Sequence, residues 1–127
     1  MENLLDTHTL IWFINGDKDL SDNAKEGIIG NPYNNFVSIA SIWEISIKIS
    51  IDKIELKSSF KDFILQIKKN SFYILPISTT DTLALSVLPF YHRDPFDRMI
   101  IAQAKNNNFQ ILTKDSVFKK YHVAVLW

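Results

Sequence analysis

Residues 2–8 read ENLLDTH, a short apolar run that stops on Asp6, and residues 109–115, FQILTKD, repeat the pattern and stop on Asp115. If both runs are strands of one parallel sheet, their acids meet, because side chains at the carboxyl ends of neighbouring parallel strands converge on a single crevice. Outward from residues 2–8, strand-like runs alternate with helical ones. Strands are predicted at 2–6, 35–38, 72–76, 109–113 and 123–126, a pattern of a parallel sheet covered by helices on both faces.

The helices between them carry start and stop signals. Residues 8–15 follow Asp6 at once, and Ser21 or Asp22 caps a helix through Ala24 to Ile29 that stops at Gly30-Asn31-Pro32. Ser58 or Ser59 opens another, with Phe60, Phe63, Ile64 and Ile67 on one stripe and Lys68-Lys69-Asn70 at its end. Thr79 or Thr80 opens the next, which stops before Pro89. Asp94 caps the last, with Pro95 at its first position and Asp97 three residues after the cap. One segment is double-valued. Ile45, Ile47, Ile49 and Ile51 alternate with polar residues as in a strand, yet Ala40, Trp43, Ile47 and Ile51 also form a helical stripe, with Ile42, Ile45 and Ile49 beside it. A helix over about 39–50 is the reading adopted.

Composition narrows the classes. The 127 residues, 46% hydrophobic, suffice for one compact domain, residues 1–127. The absence of cysteine excludes a disulfide scaffold and thiolate metal sites. The N-terminus lacks the basic start of a secretory signal, and no apolar run approaches the roughly 20 residues that span a bilayer, so a cytoplasmic protein without membrane contact is expected. Net charge is zero, so any contact with a polyanion has to be local.

Two further acids lie in otherwise apolar surroundings: Glu44 in SIASIWEISIK (38–48) and Asp97 in DPFDRMIIAQA (94–104). Four carboxylates that close repel one another unless a cation neutralises them, and hard divalent ions such as Mg²⁺ or Mn²⁺ prefer such oxygen ligands. Each acid also has a plainer reading. Asp6 caps Thr7–Asn15, Glu44 sits on a solvated helix face, Asp97 closes a capping box with Asp94, and Asp115 caps the turn that begins at Ser116. Thr7 and Thr113 adjoin the acids and either orient a carboxylate or a metal-bound water, or satisfy backbone groups. Arg93 and Arg98, with His92, flank the Asp94–Asp97 turn, where an arginine either grips a phosphate or pairs with the carboxylates. His8, His92 and His122 lack the spacing of a zinc set.

Taken together, LLDTHTLIW (4–12), SIASIWEISIK, HRDPFDRMIIAQA (92–104) and ILTKDSVFKKYHVAVLW (111–127) resemble the successive motifs of PIN-domain ribonucleases, in particular the VapC-type toxins of toxin–antitoxin pairs. The resemblance spans essentially the whole chain. It implies a three-layer α/β/α sandwich around a five-stranded parallel sheet in the order 3-2-1-4-5, with the segment around Glu44 helical. It carries the family's four acids onto Asp6, Glu44, Asp97 and Asp115, as catalytic residues and ligands of Mg²⁺, or of Mn²⁺. Asp97 rather than Asp94 matches the ligand, because Arg-Met-Ile-Ile-Ala-Gln-Ala follows it, which leaves Asp94 as the cap and an outer acid. Thr7, Arg98 and Thr113 are the remaining candidates for support or substrate contact. Asp115 followed by Ser116 rather than by more acids departs from the family pattern.

The function so implied is a metal-dependent endoribonuclease that cuts RNA through a metal-activated water, held inactive by a cognate antitoxin and able to form a homodimer. The alternative is a catalytically silent PIN-like module that binds RNA or a protein. Two other acid-lined α/β classes fit poorly. A phosphoacceptor receiver domain needs an aspartate ending a central strand near mid-chain, and Asp52 in KISIDKIEL is badly placed for it. A haloacid-dehalogenase phosphatase needs a second aspartate where His8 stands.

Overall fold

A computed structural model describes residues 1–127. The elements run β1 (Asn3–Leu5), α1 (Thr7–Asn15), α2 (Asp22–Ile29), β2 (Asn35–Ser38), α3 (Ile39–Ser50), α4 (Phe60–Lys69), β3 (Tyr73–Leu75), α5 (Thr79–Ser86), α6 (Pro95–Asn107), β4 (Gln110–Leu112), a 3₁₀ turn (Ser116–Tyr121) and β5 (Val125–Leu126). The five strands form one parallel sheet in the order β3-β2-β1-β4-β5, as expected.

The pleat divides the apolar residues between two faces. Leu5, Val37 and Leu112 point into a core shared with Leu10 of α1, Ile28 of α2, Ile45 of α3 and Phe63 and Ile67 of α4. Their strand neighbours Leu4 and Ile111 point the other way, against Ile100 and Ile101 of α6 and Phe118 and Tyr121 of the 3₁₀ turn. Strands buried on both faces read as continuous apolar runs rather than alternating ones, which is why NLL and QIL are so short and so apolar.

Residues 39–50 are helical, with the Ser38 hydroxyl accepting from the Ala40 N–H at their start. The buried side of α3 is Ala40, Ser41, Ile42, Glu44 and Ile45. Of the stripe Ala40, Trp43, Ile47 and Ile51, only Ala40 is buried; Trp43 is 60% and Ile51 56% exposed. Ser21 and Ser59 are the caps of α2 and α4, and α5 is capped by Ser78, in a reciprocal capping box with Asp81. Gly16 ends α1 in the left-handed region, φ 66°, where a side chain would be strained. No helix is long and apolar enough to cross a membrane.

Candidate metal centre

Register brings the first acid to the sheet's carboxyl edge. Leu5 pairs with Leu112, so β1 and β4 end side by side, and the Asp6 N–H donates to Leu112 O at 3.1 Å. The next residue of β4's chain, Thr113, then faces Asp6. Its hydroxyl donates to Asp6 Oδ2 at 2.5 Å and accepts the Asp115 N–H at 3.1 Å, which binds the two strand-end acids through one buried side chain. The other Asp6 oxygen caps α1 through the Thr9 N–H, 2.8 Å away. Cap and crevice acid are therefore the same residue, since each carboxylate oxygen has a lone pair left after accepting one bond.

Thr7 performs the same service on the α3 side. Its hydroxyl lies 2.7 Å from Glu44 Oε1 and 2.9 Å from Ser41 Oγ. A carboxylate only accepts, so the Thr7 proton goes to Glu44 and Ser41 donates to Thr7. Glu44 is buried, not a solvated helix position, and its second oxygen takes a 2.6 Å bond from Lys48 one turn on.

Asp94 caps α6, accepting from the Phe96 and Asp97 N–H groups at 2.8 and 3.3 Å. Asp97 does not return the bond, so the capping-box reading of this residue does not hold. Its carboxylate has no hydrogen-bond partner in the protein, and its pKa is pushed up to about 7, first by burial and then by the charges of Asp94, Asp6, Glu44 and Asp115.

Asp115 lies on the exposed rim. One oxygen caps the 3₁₀ turn through the Val117 N–H at 2.9 Å, and the other meets His92 Nε2 at 2.9 Å. Burial works to raise its pKa, but the bonds from His92 and Val117 outweigh it and hold the carboxyl below its ordinary value. His92 Nε2 and one oxygen each of Asp97 and Asp115 lie within 4.8 Å of one another.

Asp97 thus feels the charges of Asp94, Asp6, Glu44 and Asp115, Thr113 and Thr7 hold Asp6 and Glu44 in place, and the compact donor group joins Asp97 and Asp115 with His92 but does not include Asp6 or Glu44. Arg98 does neither of the things expected of it. It is buried, and its guanidinium donates to Pro89 O at 2.9 Å and Leu88 O at 3.3 Å while lying 4.0 Å over the Phe90 ring. The last turn of α5 and the loop after it present several carbonyls that the planar fork meets at once. One residue at the site was missed. Lys48 was readable as the i+4 partner of Glu44. His92 was placed beside the Asp94–Asp97 turn and set aside only as part of a zinc set, and its contact with Asp115 is made by folding.

Comparison with known proteins accords with this fold. A family model described as PIN domain matches residues 4–123. No curated protein matches the chain by sequence. Among solved structures, VapBC2 from Rickettsia felis, bound to a DNA fragment from its promoter, superposes with a TM-score of 0.72 at 18% identity, over 98% of this chain and 97% of that one. FitAcB from Neisseria gonorrhoeae gives 0.70 at 16% identity, over 97% and 95%. DNA-bound VapBC from Salmonella typhimurium gives 0.69 at 16% identity, over 98% and 96%. At such identities the likeness is one of fold.

Proposed function

The chain belongs to the PIN-domain family, and from that footing we propose that it is a metal-dependent endoribonuclease, the toxin of a toxin–antitoxin pair, whose centre is Asp6, Glu44, Asp97 and Asp115. The observation that carries the reading is Asp97. A half-buried carboxylate with no protein partner, pushed up to about 7 by burial and four neighbouring acids, is in the state that a divalent cation relieves. The donor set fits Mg²⁺, and Mn²⁺ as well, since both take carboxylate oxygens. When bound, such an ion supplies acidification of a coordinated water and neutralisation of charge on a phosphoryl group.

The chain's own residues prepare the centre. Asp97 and the outward lone pairs of Asp6, Glu44 and Asp115 would hold the ion, while Thr7 and Thr113 fix the carboxylates' rotation and Lys48 offsets part of their charge. No serine, cysteine or histidine is disposed as a nucleophile with an adjacent base, so the chain contributes positioning and charge rather than a covalent intermediate. RNA as the substrate follows from the family and the centre together. The VapBC structures that the fold matches support a cognate antitoxin as partner, and a homodimer is compatible with this role.

The test is cleavage of single-stranded RNA by the purified chain with Mg²⁺ and with EDTA. Cleavage should require the metal, fall at least about a thousandfold in Asp97→Asn and survive in Asp94→Ala, which removes only a helix cap. Metal-independent cleavage, or an Asp97→Asn protein that cuts at the normal rate, would refute the assignment. Wild-type expression should arrest growth where Asp6→Ala is tolerated; harmless expression of an active nuclease would remove the toxin role alone.

A further inference from the structure

We propose that His92 is a nitrogen ligand of the same centre, positioned by the Tyr121 hydroxyl, and that it gives the site a preference for Mn²⁺ over Mg²⁺. The inference rests on the metal-dependent reading above and adds to it a ligand and a metal selectivity.

Geometry points to it first. His92 Nε2 and Asp115 Oδ2 are 2.9 Å apart, and adjacent ligands on an octahedral ion with bonds of about 2.1 Å lie about 3.0 Å from each other. The two atoms are therefore already spaced as adjacent ligands of one ion would be. Asp97, the carboxylate without a partner, supplies the third donor of the group.

The ring is also held as a ligand has to be. His92 stacks on Tyr121, centroids 5.6 Å apart and planes 14° apart, and meets the edge of Phe118 at 4.9 Å. Its backbone N–H donates to the Tyr121 hydroxyl at 2.7 Å. Tyr121 is itself buried, with its carbonyl bonded by Lys105 at 3.1 Å, so the hydroxyl is a fixed point. One short 3₁₀ turn thus presents Asp115 as its cap and, at its last residue, the anchor for His92.

Proton placement agrees. Coordination through Nε2 needs the hydrogen on Nδ1, and ligand imidazoles characteristically donate that second N–H to an orienting acceptor. Tyr121 Oη lies 3.3 Å from Nδ1. The Tyr121 hydroxyl can donate to a bare Nδ1 or accept from Nδ1–H, so it would serve the ring both with Nε2–H bonded to Asp115 and with Nε2 as a ligand. A hydroxyl serves both states with no movement of heavy atoms. Mg²⁺ is bound almost wholly by oxygen, whereas imidazole nitrogen favours first-row transition ions, so one nitrogen in an otherwise carboxylate site tilts it away from Mg²⁺, and Mn²⁺ is the first-row ion that keeps the carboxylate preference.

Pulsed EPR on the Mn²⁺-loaded wild-type protein tests this directly. A ¹⁴N coupling of a bound imidazole is expected, absent in His92→Gln. Competition should show Mn²⁺ favoured over Mg²⁺ by about tenfold or more in the wild type, most of the margin vanishing in His92→Gln, and Tyr121→Phe losing about tenfold or more in Mn²⁺ affinity with Mg²⁺ affinity little changed. Saturable Mn²⁺ binding that Asp97→Asn abolishes, but with no nitrogen coupling in the wild type, overturns the role of His92 and leaves the metal centre standing. No saturable binding at millimolar Mn²⁺ overturns both. The wild-type spectrum decides even if a variant fails to fold.

Discussion

At the scale of the residue, Asp97 is where the crevice stores its repulsion. Its pKa of about 7 lies above the ordinary 3.8, so between those values the folded chain keeps a proton that the unfolded chain has released. Stability from this group is therefore present at low pH, falls as pH rises through the window and is level above it. In EDTA, Asp97→Asn should gain on the wild type steadily from about pH 4 to about pH 7 and no further, read by urea denaturation at a series of pH values. Asp115, held low, contributes in the opposite sense, losing its share of stability as pH falls, but it is common to both proteins and cancels in the difference. A difference that stays flat across the window contradicts the crowding of the four acids. The same residue shows what a cap signal conceals: the spacing Asp94-Pro95-Phe96-Asp97 reads as a helix start, and it is one, yet only Asp94 serves it.

Among elements, the joint between α5 and α6 depends on Arg98. Besides its shorter bonds to Pro89 and Leu88, it reaches Leu85 O and His92 O, each at 3.4 Å, so one side chain closes the end of α5 and the loop that delivers His92. Arg98→Met should leave these carbonyls unpaired and lower unfolding free energy by about 2–4 kcal/mol in urea, with Arg98→Lys recovering only part of it. A loss below about 0.5 kcal/mol would mean that water replaces the guanidinium without cost. Trp43 marks a different joint: exposed on α3, it meets the edge of Phe96 on α6 at 5.3 Å, close beside two of the acids in sequence. Periodicity left residues 39–50 between strand and helix, the family resemblance favoured helix, and neither gave the helix's inward side, because a residue flanked by isoleucines on both stripes leaves the burial choice to whatever packs next.

For the whole molecule, the sheet order places β1 between β2 and β4, so the central strand's acid can be joined by one from β4 and by the helices that follow β1 and β2. On the proposed reading a bound metal would act on the fold as a ligand of the native state alone, stabilising by about 2.7 kcal/mol at a hundredfold excess over its Kd. Thermal melting of the chelated protein should shift upward on addition of Mn²⁺ or Mg²⁺, and Asp97→Asn, already relieved of repulsion, should start higher and shift little. Equal shifts in both proteins would place the bound ion elsewhere.

The sequence by itself determined the layered α/β architecture and the strand positions to within a residue or two, because strand ends, caps and apolar runs are local signals that hold wherever the chain goes. Asp6 and Asp115 were legible as a pair for that reason alone. Tertiary structure decided the rest: that Thr7 and Thr113 turn inward onto Glu44 and Asp6, that Arg98 goes to backbone carbonyls, that Trp43 faces out and that His92 reaches Asp115. Each of these is a choice among partners far apart in sequence, settled by which acceptor or cavity packing brings within about 3 Å, and no periodicity in one chain encodes that distance.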